Sequence, residues 1–131
     1  MTTDLIEVPI APGELVDKIS ILEIKSERLT DAAKLDNIRR ELALLREKEK
    51  LHIQASSQMI EFYSSLKEVN GRIWDLEDVI RDCERKSDFG DTFIKTARLI
   101  YRTNDERAAV KREINMHLGS KIVEEKSYAK Y

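Results

Sequence analysis

From Leu15 onward the apolar residues recur at alternating steps of three and four, the period of an α-helix with one face turned inward. Leu15, Ile19, Leu22, Ser26 and Leu29 form such a seam and predict a first helix over about 13–29. Pro12 suits its first turn and Glu14 suits the positive end of its dipole. Thr30-Asp31 marks a break, because both residues favour the N-cap position. A second seam, Leu35, Ile38, Leu42, Leu45, Glu49 and His52, predicts a helix over about 32–53. Ala55-Ser56-Ser57 is the next weak point: either the helix ends there, with a serine capping the next, which is the favoured reading, or one long helix passes through. The longest seam is Met59, Phe62, Leu66, Val69, Ile73, Leu76, Ile80 and Cys83, sustained as a heptad. Ser87 to Asp91 then has turn chemistry. Asp91 is placed to cap a fourth helix from about Thr92 to Leu118, stopped by Gly119. Thr103 and Glu106 have capping-box spacing, which allows a second start inside that helix.

The two ends break this period. Leu5-Ile6-Glu7-Val8-Pro9-Ile10 is β-branched and contains a proline, so residues 1–12 read as an extended arm or edge strand. Residues 120–131 read as a tail, either a short strand against that arm or a frayed end. The expected fold is one all-α domain over 1–131, an antiparallel bundle of three or four long helices. Truncating Ile73 or Leu76 to alanine would then cost about 2–5 kcal/mol. Long hairpins with open seams also favour a homo-oligomer.

Composition narrows the function classes. The 131 residues carry 23 Lys and Arg against 25 Asp and Glu, a net charge of −2. No basic surplus exists for nucleic-acid binding. Charges interrupt every apolar run well before the ~20 residues of a membrane span, so no membrane partner is expected. The opening residues lack a basic, then apolar, signal pattern. The single Cys83 forms no disulfide framework and fits a cytoplasmic protein.

The candidate chemistry lies in mixed stripes beside the seams. Glu14, Lys18, Ile21, Lys25 and Arg28 share one face of the first helix. Ile60, Tyr63, Lys67, Asn70, Trp74, Glu77 and Arg81 share one face of the third. Ile94, Ala97, Tyr101, Asn104, Ala108, Lys111, Asn115 and Leu118 do so on the fourth. One reading is a polar pocket between helices for an anionic small molecule. Lys18, Lys25, Arg28, Arg81 and Lys111 would supply the cations, Trp74 a flat wall, and Asn70 and Asn104 orientation. Glu77 among those cations is the candidate general acid or base, should there be a reaction. The other reading is plainer: Glu14–Lys18 and Glu77–Arg81 are i,i+4 pairs on solvated faces.

No cofactor is expected. Glu49-x-x-His52 has half of a di-iron helix motif, and no second copy exists. Asp75, Asp78 and Asp82 form one acidic run without the second cluster that a helical magnesium pyrophosphatase needs. No phosphate loop, dinucleotide fingerprint or Ser-His-Asp set is present. Cys83 sits on a seam, as buried filler rather than a nucleophile.

The segments APGELVDKISILEIKSERL, NGRIWDLEDVIRDC, TNDERAAVKREIN and EEKSYAKY resemble a bacterial domain family of unknown function. The likeness rests mostly on stripe positions, including Glu14, Asp17, Lys18, Lys25, Arg28, Trp74, Glu77, Arg81, Asn104, Arg107 and Lys111. Members occur as short stand-alone proteins and sometimes beside glycosyltransferase or tetratricopeptide-repeat regions. The resemblance implies no activity. It makes a glycan-assembly enzyme one conceivable partner, in which case the chain is a scaffolding module without chemistry.

Overall fold

A computed structural model describes residues 5–131. Four helices follow one another: α1 (Pro12–Arg28), α2 (Ala32–His52), α3 (Ser57–Arg85) and α4 (Asp91–His117). Their boundaries follow local chemistry. Pro12 opens α1, with Glu14 in its first turn and Lys25 and Arg28 in its last, as the helix dipole favours. The Asp31 carboxylate accepts from the Lys34 amide at 2.9 Å, and the Ser56 hydroxyl from the Met59 amide at 3.1 Å, so both expected caps form. Asp91 is not a cap. It is the first helical residue of α4, after Gly90. The Asp88 carboxylate holds the Gly90 amide at 3.1 Å instead. No second helix starts at Thr103, whose hydroxyl donates back to the Leu99 carbonyl within an unbroken α4.

Both long helices end in Schellman turns. At α4 the left-handed residue is Gly119, with Ser120 N–H donating to the Asn115 carbonyl at 2.8 Å. At α3 the left-handed residue is Ser87, at φ 54°, with Asp88 N–H donating to the Cys83 carbonyl at 2.9 Å. A serine Cβ there crowds the backbone, and glycine would not. Ser87→Gly should therefore raise the unfolding free energy by about 0.5–1 kcal/mol. Urea unfolding monitored by circular dichroism measures it.

α1 is the hub. It packs against α2, α3 and α4, whereas the backbone of α2 comes close only to that of α1, and Arg46 of α2 reaches α3 through its side chain, 5.3 Å from the Tyr63 ring centroid. Gly13 meets Asn115 while Asp17 meets Arg107, so α1 runs antiparallel to α4. Asp17 meets Asn70 and Arg28 meets Asp75, so α1 runs broadly parallel to α3. The core is Val16 of α1, Met59 and Leu66 of α3 and Ile114 of α4, flanked by Phe62 and Val110. Because α1 has neighbours on three sides, Val16, Asp17, Ser20 and Ile24 are buried along with the expected Leu15, Ile19 and Leu22.

At ~1.5 Å per residue, α3 and α4 extend to about 40 Å and outrun α1 by several turns. Beyond Arg28 they form a two-helix hairpin with no other helix over it among the described residues. Leu76 and Ile80 are consequently only half-buried, and so is Ile73, which lines an opening with Ile21 and Ile24 of α1, although Cys83 is buried as its seam position implied. The 2–5 kcal/mol expected at Ile73 or Leu76 belongs instead to Leu66 and Ile114, which are wholly buried. Comparing Leu66→Ala with Leu76→Ala by denaturant midpoint checks this order.

Leu5 to Ile10 lies outside helix and strand and is exposed, tethered by a Glu7–Lys48 ion pair at 2.7 Å. Residues 1–4 of the arm lie outside the described residues. Among the described residues the tail forms no strand. It turns back along α4.

Candidate functional site

The densest polar cluster lies inside the bundle, where α1 crosses α3 and α4. Asp17 has no exposed surface. The Arg107 guanidinium grips its carboxylate with two N–H groups, Nε donating to Oδ1 at 2.9 Å and Nη2 to Oδ2. The Asn70 amide donates to Asp17 Oδ1 and to Ser20 Oγ, both at 2.9 Å. Ser20 Oγ donates in turn to the Asp17 carbonyl at 2.7 Å. Among the described residues no buried side-chain nitrogen or oxygen is left without a partner. A buried carboxylate is tolerable only with such complete partnering. The Asp17 carboxylate in turn keeps the Arg107 guanidinium charged, outweighing partial burial, and the Arg107 pKa is raised.

One turn along α4, Lys111 continues this line. Its side chain is only 12% exposed and its ammonium lies 2.7 Å from Glu14 of α1 and 3.0 Å from Glu124 of the tail. Burial opposes the charge, but the hydrogen bonds to Glu14 and Glu124 prevail, and the Lys111 pKa is raised. The tail runs on from there. Arg112 pairs with Glu125, Lys126 with Asp105 at 3.3 Å, and the Tyr131 hydroxyl donates to Asp105. The Tyr101 and Tyr131 rings meet edge to face, centroids 5.1 Å apart. Between tail and helix lies a cleft of about 490 Å³, with Tyr101, Asn104, Arg107 and Lys111 on one side and Lys126 and Tyr128 on the other. The mixed stripe of α4 is thus the bed of the C-terminal tail.

The residues expected to share one pocket are distributed over separate places. Asn104 and Lys111 line the tail cleft. Lys18 is exposed and pairs at 3.6 Å with Glu14 of its own helix. Lys25 is half-buried and makes no ion pair among the described residues. Arg28 bonds Asp75 at 2.6 Å, its guanidinium carbon 5.8 Å from the Trp74 ring centroid. Arg81 is 78% exposed and reaches only Glu77, one turn before it, at 3.3 Å. Asn70, Trp74 and Glu77 border a second opening of about 290 Å³ between α1, α3 and α4, which Arg107 also touches. Asn70 has already given its amide hydrogens to the core. Glu77 therefore lacks the multi-helix ring of cations that its acid–base assignment presumed. The physical reason is the position of α1. With three neighbours it buries the faces around Leu15 to Ile24, and the Lys18–Arg28 stripe is its outer side.

Asp17 and Arg107, the centre of the arrangement, carried no role in the seam analysis. Asp17 falls between Val16 and Ile19, and a carboxylate within an apolar stretch was the available signal. The acidic run does not gather: Asp75 pairs with Arg28, and Asp82 with Arg85 and Lys86. Among the described residues no three His, Cys, Asp or Glu side chains are placed to hold a metal ion. No helix among them is long and apolar enough to cross a membrane.

The tail contacts are pH-sensitive on the acid side. The Tyr131 hydrogen bond, helped by Lys126, holds the Asp105 carboxyl below its usual value. A lowered carboxyl stabilises the docked form above the ordinary aspartate value and loses that contribution as pH falls through the lowered one. The tail should therefore loosen below about pH 4. Amide shifts of Lys130 and Tyr131, followed by NMR from neutral pH downward, should move toward random-coil values there before the helices melt.

No curated protein and no solved structure matches the chain. Residues 6–131 match a family of unknown function, DUF6165. The match spans α1 to α4 and the tail that folds back on them, and the chain belongs to this family.

Proposed function

We propose that the protein binds an anionic small molecule in the cleft between α4 and the C-terminal tail. The supporting observation is Lys111. It is a nearly buried ammonium at a metabolite-sized cleft, and one of its two carboxylate partners comes from a non-helical segment. Arg107, fixed by Asp17, adds a guanidinium at the same wall, and Asn104 an amide. Such a wall recognises a carboxylate or phosphate by charge-assisted hydrogen bonds. A thermal-shift screen of sugar phosphates, nucleotide sugars and carboxylates tests it. A ligand at a hundred times its dissociation constant stabilises by about 2.7 kcal/mol, and Lys111→Met should remove that gain. The reading fails if no anion raises the melting temperature, or if the rise survives Lys111→Met.

A second reading is a non-catalytic interaction module, with a second copy or a glycan-assembly protein as partner. It is favoured by the uncovered α3–α4 hairpin, where Val79, Phe89, Ile94 and Leu99 are exposed. Sedimentation equilibrium distinguishes a homo-oligomer from a monomer. The buried, unpaired thiol of Cys83 suits a reducing compartment such as the cytoplasm.

A further inference from the structure

The tail cleft holds a carboxylate that belongs to the chain itself, and that occupant defines what it excludes. Lys111 carries one positive charge and is already bonded by Glu14. Glu124 is the second acid on the same ammonium. Glu14 and Lys111 lie on helices packed against each other, so their pair is fixed by the fold. Glu124 lies on a segment without helix or strand, and its side chain is more than half exposed. The other tail attachments, Arg112–Glu125, Lys126–Asp105 and Tyr131–Asp105, are exposed as well. Exposed pairs of this kind contribute little each. Ile122, Tyr128 and Tyr131 of the tail remain exposed, so little apolar burial holds it down.

We propose that Glu124 is an internal competitor for the ligand, holding the place of a singly charged carboxylate that displaces it on Lys111. The proposal rests on the reading of the cleft as an anion site and deepens it by naming the ligand class. Charge selects that class. Exchanging Glu124 for another monocarboxylate leaves the balance around Lys111 unchanged. A phosphate or sulfate dianion would bring a second negative charge toward Glu14, and the other cations lining the cleft, Arg107 and Lys126, are already paired with Asp17 and Asp105. The tethered Glu124 has an effective concentration on the millimolar scale, so the wild-type cleft responds only to carboxylates abundant enough to compete with it. A cleft open about one tenth of the time binds about tenfold more weakly than one always open.

The test is an NMR titration of wild type, Glu124→Gln and the double variant Glu124→Gln/Lys111→Met. The probes are sodium propionate, whose headgroup matches a glutamate side chain, and sodium phosphate, at constant ionic strength set with chloride. Glu124 is exposed, so its amide variant should fold, and the spectrum verifies it. The expected result is propionate binding about tenfold tighter in Glu124→Gln than in wild type, lost in the double variant, with phosphate weaker than propionate. Equal propionate affinity in wild type and Glu124→Gln, lost without Lys111, would overturn the competitor and leave the anion site standing. Phosphate tighter than propionate in Glu124→Gln would overturn the monocarboxylate class. No binding of either probe to Glu124→Gln would overturn both this inference and the anion reading.

Discussion

Asp17→Asn should lower the unfolding free energy by about 3–5 kcal/mol, the usual cost of removing one partner from a buried ion pair. Asparagine nearly matches aspartate in shape, so packing changes little. What changes is the charge and the number of acceptors. Three donors converge on the Asp17 carboxylate, two from Arg107 and one from Asn70. The replacement offers one oxygen and turns an NH₂ group toward groups that themselves donate. Arg107 is left as a half-buried cation without its counter-ion. Replacing both members, Asp17→Leu with Arg107→Met, removes the charge and the cation together. Such paired replacements are often neutral or stabilising. Here Asn70 loses one acceptor, so a residual cost of about 1–3 kcal/mol is expected. The double variant should thus be more stable than the sum of its singles, and more stable than Asp17→Asn. Urea midpoints at constant slope measure all of these. A single-variant loss below about 1 kcal/mol, or strict additivity, would show that the cluster is not the keystone of the α1, α3 and α4 junction.

The second large effect is expected at Gly13, in the first turn of α1. A Cβ there would lie 2.4 Å from the Lys111 carbonyl oxygen and 2.9 Å from Asn115 Oδ1. The nearer atom is backbone, so no side-chain rotation relieves the clash. To admit alanine, the start of α1 must lift off α4. That motion breaks the 2.7 Å bond from the Gly13 amide to Asn115 and the 2.7 Å contact between Glu14 and Lys111. Overpacking of this kind costs about 1–3 kcal/mol, and a buried amide left unpaired adds a similar amount. Helix propensity alone predicts the opposite sign, since alanine is favoured over glycine by about 1 kcal/mol inside a helix. The sign of the change in melting temperature for Gly13→Ala therefore decides between close approach and propensity. A rise would mean that the α1–α4 contact is looser than described. Asn115→Ala, which removes only the capping bond, should cost about 1–2 kcal/mol.

The parts of this architecture governed by neighbours in sequence were legible from the residues alone. Asp31 and Ser56 cap the helices they were expected to cap, since capping involves residues three apart. Leu15, Ile19 and Leu22 are buried as their spacing required. What escaped the pattern depends on how many helices surround each element. A seam presumes one partner face, and α1 has three, so Asp17 and Ser20 went inward while Lys18 and Arg28 stayed out. The mixed stripe of α4 was visible as unusual, but its occupant was not. The tail has no period, and Glu124, Lys126 and Tyr131 reach α4 by polar contacts across 13 to 26 residues of chain. Trp74 drew attention as the single tryptophan, yet it borders the smaller opening rather than the cleft beside Lys111.

The dependence of α2 chiefly on α1 bears on how the molecule breathes. α2 has one buried side chain, Ile38, and its remaining contacts are half-buried or ionic, such as the Arg46 bond to Glu23 of α1 and the approach of Arg46 to the Tyr63 ring of α3. A helix held chiefly by one neighbour and by few buried side chains can detach while the rest of the bundle stays closed. Its amides should exchange with solvent deuterium through this partial opening, ahead of those at Ile19, Leu66 and Ile114, which must wait for global unfolding. When α2 swings away, the apolar flank of α1 that it covers becomes briefly available, while the Asp17–Arg107 knot between α1, α3 and α4 remains intact. The bundle thus has a polar knot at its centre that stays shut, and a helix at its side that opens on its own.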